Sequence, residues 1–110
     1  MRVNIENRGE IAVVAIHGDI DINTAPEIKK SLDRLISEKK PKVLINLKDV
    51  DYVDSSGLAT LVEVLKKLRA YGGKLKLASL SEKVKGLFEI TKLTKLFDIA
   101  SDETSAIGSF

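Results

Sequence analysis

The chain has 110 residues, 44% of them apolar, and its 18 basic and 16 acidic side chains leave a formal net charge of +2. That length fits one domain able to bury a core without covalent staples, and so small a net charge supplies no field to draw nucleic acid or an anionic membrane. With no cysteine and a single histidine, disulfides, thiolate metal sites, cysteine catalysis and a multi-histidine metal centre are excluded.

At the start of the chain, Met1 to Glu6 lacks the apolar core of a signal peptide. No apolar run approaches the ~18 residues of a membrane span, so the expectation is a cytoplasmic protein that engages neither membrane nor nucleic acid. Val3 to Glu6 alternates weakly, Asn7-Arg8-Gly9-Glu10 is a turn signal, and Ile11 to Ile16 is a continuous β-prone run, which together predict an N-terminal hairpin. Asn23 or Thr24 caps a helix with Pro26 in its first turn and Ile28, Leu32, Leu35 and Ile36 on one stripe, ended by Lys39-Lys40-Pro41.

Val43 to Leu47 is short and wholly apolar apart from Asn46, as a central strand covered by helices would be. After the Asp49 to Ser56 loop, Leu58, Leu61, Val62, Leu65 and Leu68 recur at helical spacing until Gly72-Gly73 stops the helix. Lys74-Leu75-Lys76-Leu77-Ala78 alternates as a third core strand, with its lysines opposite the apolar face. Ser81 then caps a helix whose inner face is Val84, Leu87 and Phe88; Leu96 to Ile99 suits a short edge strand, and Asp102 or Ser101 caps a last turn reaching Ile107. No repeat or linker divides the chain, so residues 1–110 are expected to form one domain.

Strands alternating with helices imply an α/β fold: an open mixed sheet with parallel, right-handed crossovers and an antiparallel strand added by the hairpin. In such sheets the loops beyond the C-terminal strand ends gather at one pole, where ligands bind. Here they are Gly18 to Asn23, Lys48 to Ser56 and Ser79 to Ser81, which brings Asp19, Asp21, Asp49, Asp51 and Asp54 around Ser55. Any one of these aspartates is explained by turn or capping duty.

Two chemical readings of the set follow. Asp49-Val50-Asp51 after an apolar strand superficially resembles the Asp-x-Asp loop of haloacid-dehalogenase-like phosphotransferases, which would make the chain a small Mg²⁺-dependent enzyme using Asp49 and Asp51. Against it, Lys48 displaces the pair from the strand end and the chain has little room for further elements. The other reading concerns Asp54-Ser55-Ser56-Gly57-Leu58. With Ser56 as N-cap, Gly57 permits close approach and Ser55 points outward. No histidine lies near it in sequence, so Ser55 suits modification by a separate kinase better than self-activated nucleophilic attack. Spacing alone leaves capping and phosphorylation both open.

Asp54-Ser55-Ser56-Gly57-Leu58 resembles the phosphorylation motif of the anti-sigma-factor antagonists, a family with the STAS fold. Gly18-Asp19-Ile20-Asp21, Thr24-Ala25, Val43 to Leu47, Gly72-Gly73 and Ser81 to Phe88, with Leu93 and Phe97, extend the likeness over essentially all 110 residues. Ala59 stands where a second glycine is common, and Val53 where methionine often precedes the aspartate. The resemblance implies a non-enzymatic regulator of transcription that works by partner switching. In its unphosphorylated form it binds an anti-sigma factor that is also a serine kinase, releasing the sigma factor; phosphorylation of Ser55 ends binding and a serine phosphatase restores it. It implies a partner-facing surface of Asp19, Asp21, Thr24, Asp54, Ser56 and Gly57, and no cofactor. A STAS module of another stress-signalling complex, indifferent to phosphorylation, is the alternative.

Overall fold

A run of β-branched residues that finds cover on both faces becomes a central strand, and Ile11–His17 (β2) is such a run, buried along most of its length. The computed structural model describes residues 1–110. β2 pairs antiparallel with Arg2–Arg8 (β1) through a turn at Gly9 and Glu10. Gly9 takes φ 62°, the positive value required at the first position of a type II′ turn. The chain continues through α1 (Ala25–Ser37), β3 (Lys42–Asp49), α2 (Ser55–Ala70), β4 (Lys74–Ala78), α3 (Glu82–Ile90), a 3₁₀ turn (Leu93–Lys95), β5 (Asp98–Ala100) and α4 (Glu103–Gly108).

The five strands lie in chain order, with β2 to β5 parallel. The fold is the single-domain α/β architecture, with a mixed sheet, that the sequence implies. Crossovers of one hand that always advance the same way place their helices on one face. Accordingly Ile28, Leu32, Leu61, Leu65, Leu68 and Phe88 share one large core with Val14, Ile45 and Leu77. Phe88 meets Phe97 edge-on, centroids 5.6 Å apart. No helix is long and apolar enough to cross a membrane.

Three details depart from the sequence reading. In α2 it is Val64 that is buried, whereas Val62 stays half-exposed. The edge strand begins at Asp98 rather than Leu96, because Leu93 and Leu96 pack on the core from the 3₁₀ turn that follows Lys92, whose φ is 61°. Lys76, at an alternating position of β4, is 7% exposed. It lies under the C-terminal residues: its ammonium donates to the Ser109 carbonyl at 2.8 Å and to the Ser109 hydroxyl, and sits 5.2 Å from the Phe110 ring. α4 covers this second face of the sheet through Ala106, against Ile11, Val13, Leu44 and Ala78. Asp102, not Ser101, caps it, accepting the Ser105 amide at 2.7 Å.

α1 and α2 are joined at their outer edge by ion pairs. Lys67 donates to Asp33 and Glu63 at 3.2 Å each, and Lys29 reaches Glu63 at 3.4 Å. The hydrogen bond from Lys67, then that from Lys29, holds the Glu63 carboxyl below the usual carboxylate range. A carboxyl depressed in the folded state stabilises the fold above its unfolded pKa, and that contribution disappears as pH falls through the folded value. The melting temperature of wild type is therefore expected to exceed that of Glu63→Gln near neutral pH, with the gap closing as pH falls below about 4. Calorimetric scans at several pH values check this; a gap independent of pH would contradict it.

Candidate functional site

The parallel pairing of β2 and β3 continues past their ends in broken form. Gly18 N–H donates to the Asp49 carbonyl at 3.1 Å, Ile20 N–H to Tyr52 at 2.9 Å, and Asp54 N–H back to Ile20 at 3.0 Å. Ile20 and Val53 form a single parallel bridge and are both buried. Two loops distant in sequence become one piece, as the crossover topology implies.

Asp54 joins them. Its backbone is extended (φ −94°, ψ −176°), and one carboxylate oxygen accepts the Gly57 amide at 2.9 Å, capping α2. The other accepts the Ile22 amide of the neighbouring loop at 3.1 Å. The cap is thus Asp54, not Ser56: the helix starts at Ser55 rather than at Gly57, as a Ser56 cap would have it, and a carboxylate serves two amides at once. Ser56 is already helical and half-buried, its carbonyl accepting the Thr60 hydroxyl at 3.0 Å. Gly57 is buried where a β-carbon would lie 2.6 Å from Ile20 Cγ2, 2.8 Å from Val53 Cγ1 and 2.9 Å from the Ile20 carbonyl oxygen. Only glycine lets the first turn of α2 settle onto Ile20. Ser55, the first residue of the helix, is exposed.

The β2–α1 loop is pinned in the same manner. Asp21 Oδ1 accepts the amides of Asn23 at 2.9 Å and Thr24 at 3.0 Å. Thr24 directly precedes α1 but gives it no capping bond. Its hydroxyl instead accepts the Asp21 amide at 2.9 Å and donates to the Asp19 carbonyl at 2.8 Å. Asp21 and Asp54 are therefore occupied by backbone amides, whereas Asp19 and Asp51 face solvent. Asp49 turns to His17, Oδ2 to Nδ1 at 2.8 Å, and Asn4 approaches the other ring nitrogen at 3.4 Å. His17 thus ties the end of β2 to Asp49 and Asn4. The five carboxylates share a pole but do not converge, and no three acidic or histidine side chains are grouped to hold a metal ion.

Beside Ser55 lies a feature the sequence reading missed. A groove of about 680 Å³ runs between the Asp51–Asp54 loop, the start of α2 and α3. Tyr52, Leu58, Leu87 and Ile90 line it, with Ser55 on its lip. A loop tyrosine and an isoleucine ending a helix carry no periodic signal, so no pattern marks them.

Residues 2–106 match the STAS domain family. The chain belongs to that family. Among its relatives, the anti-sigma-B factor antagonist of Bacillus subtilis (strain 168) is 37% identical over 110 residues, covering 97% of this chain and 99% of its own. A crystal structure of an anti-sigma factor antagonist from Mycobacterium paratuberculosis shares the fold with a TM-score of 0.90 at 23% identity, over 98% of this chain and 92% of that one. The Bacillus cell fate determinant SpoIIAA in its phosphorylated form does so with a TM-score of 0.75 at 21% identity, over 97% of each chain. Residues 54–58 lie within the part of the chain that matches the STAS family.

Substitutions at two positions test how this STAS pole is held. Asp54→Ala is expected to cost about 1 to 2 kcal/mol of stability and to speed exchange at the Gly57 and Ile22 amides, while Asp54→Asn, which keeps one acceptor oxygen, costs less. Gly57→Ala is expected to cost about 1 to 3 kcal/mol through overpacking against Ile20. Denaturant titration and amide exchange measure both; a Gly57→Ala protein as stable as wild type would show that the contact with Ile20 relaxes freely.

Proposed function

We propose that this STAS domain is an anti-sigma-factor antagonist whose binding is switched off by phosphorylation of Ser55. The observation that carries the reading is the presentation of Ser55: exposed, at the first position of a helix whose start is fixed by Asp54 and Gly57. The 37% identical relative named as an anti-sigma-B factor antagonist supports the choice of partner. That partner is an anti-sigma factor with serine kinase activity, and a separate serine phosphatase reverses the modification, all within the cytoplasm. The chain itself is substrate and switch rather than enzyme. Its one histidine is paired with Asp49 and approached by Asn4, and no hydrogen bond joins it to Ser55.

The partner-facing surface comprises Asp19, Asp21, Thr24, Asp54, Ser56 and Gly57 around Ser55. Within it Asp19 offers an open carboxylate, while Asp21, Thr24, Asp54 and Gly57 hold the surface in shape. A helix N-terminus accommodates a phosphate, since its amides and dipole favour negative charge. The neighbours of that phosphate do not: phosphoserine adds about 1.5 to 2 negative charges beside Asp19, Asp51 and Asp54. A partner matched to the unmodified rim is repelled, and ~4 kcal/mol lost from binding is already about a thousandfold. That a phosphorylated protein of 21% identity has the same fold supports a switch that leaves the domain folded.

Treatment with the cognate kinase and ATP, followed by peptide mapping, is expected to place the phosphate on Ser55; phosphate on Ser56 with Ser55 bare would overturn the assignment. Ser55→Ala is expected to resist modification yet bind the anti-sigma factor, and Ser55→Asp to bind more weakly while melting like wild type.

A further inference from the structure

Five large apolar side chains stand exposed: Met1, Ile5, Ile22, Tyr52 and Ile90. Three of them belong to the neighbourhood of Ser55. Ile22 is tied to Asp54 through its amide, and Tyr52 and Ile90, 47% and 82% exposed, line the groove beside the serine. We infer that this groove between α2 and α3 is the anchor site for the anti-sigma partner, taking an aliphatic or aromatic side chain of that protein flanked by a basic residue; the inference rests on the proposed function.

Continuity supplies the first argument. Ser55 is on the lip of the groove, so a kinase whose active site reaches the Ser55 hydroxyl covers the groove with its own surface. Charge supplies the second: Asp51, Asp54 and Glu82 border the groove against the one cation Lys83, which suits a basic neighbour on the incoming segment. The chemistry of the interior supplies the third. Val53, Leu58, Val84 and Leu87 present carbon, and no buried side-chain polar atom lacks a partner. A small-molecule site would hold a few polar groups aimed at its ligand, whereas an apolar protein side chain requires none.

Such an anchor explains how one phosphate governs the complex. Exposed rim charges chiefly steer encounter, and buried apolar anchors carry most of the affinity. A dianion on the lip of the groove must lose water when an apolar side chain seats next to it, so the modification acts on the residues that hold the partner and not merely on the approach.

Calorimetric titration of the unphosphorylated full chain with its cognate anti-sigma factor tests this, using Ile90→Gln and Tyr52→Ser in the groove and Ile5→Gln on the outer strand β1 as control. Each groove variant is expected to weaken binding about tenfold or more, the control less than about twofold, and all three to melt within about 3 °C of wild type. Groove variants that bind like wild type, or a control that weakens binding as much, would overturn the anchor and leave the proposed function standing. Loss of self-association in Ile90→Gln with partner affinity intact would assign the groove to a second copy and equally overturn it. A wild type that binds no anti-sigma factor would remove the proposed function and the anchor together.

Discussion

One carboxylate between two backbone amides organises the functional pole. Asp54 accepts Gly57 N–H from its own helix and Ile22 N–H from the adjacent loop, at 2.9 and 3.1 Å. The first bond starts α2; the second fixes where that start lies relative to the β2–α1 loop. Gly57 makes the arrangement possible, since any β-carbon would collide with Ile20 and Val53. Ser55 therefore has little freedom in where it is displayed, although its own side chain is in solvent. A modification there changes charge at a fixed place.

The rest of the fold supplies the stiffness behind that place. Leu58, Leu61, Val64, Leu65 and Leu68 hold α2 on the sheet over about three turns, each worth roughly 1.5 to 3 kcal/mol when fully buried. Against that, an added surface charge at a helix end is a small perturbation of folding and a large one of association. The opposite face of the sheet is closed differently. There a short helix packs through Ala106, with Ile107 and Phe110 beside it, and has polar ties: Lys76 to Ser109, and Asn46 to Glu103 at 2.8 Å, with Arg8 reaching Glu103 at 3.4 Å. Asn46 also accepts the Lys48 amide at 2.9 Å, so the C-terminal helix is linked to the end of β3 from which the functional loop departs.

Most of this was legible in the sequence because burial and period coincide. β2 and β3 are apolar runs and became central strands; Ser81 and Asp102 are capping residues that cap. Legibility failed where several residues could do one job. Asp54, Ser55 and Ser56 can all cap a helix, and only the position of the Ile22 amide favours the residue with two acceptor oxygens. Val62 and Val64 lie at the two edges of one apolar stripe, and the sheet decides which is covered. Lys76 reads as solvent-facing because alternation cannot show that a distant C-terminal segment will fold over it. The groove beside Ser55 depends on Tyr52 and Ile90, whose proximity exists only in three dimensions. The pole itself was foreseen from topology, yet its carboxylates do more to hold loops than to face a ligand.

Amide hydrogen exchange of the protein carrying phosphoserine at position 55, compared with the unmodified protein, tests the central claim most directly. A rigid pole predicts that Gly57, Ile22 and the buried residues of α2 keep their protection within a few-fold, with changes confined to Ser55 and its immediate neighbours. Loss of protection along α2 would contradict the account, because the switch would then be a local unfolding rather than a charge placed on a fixed surface.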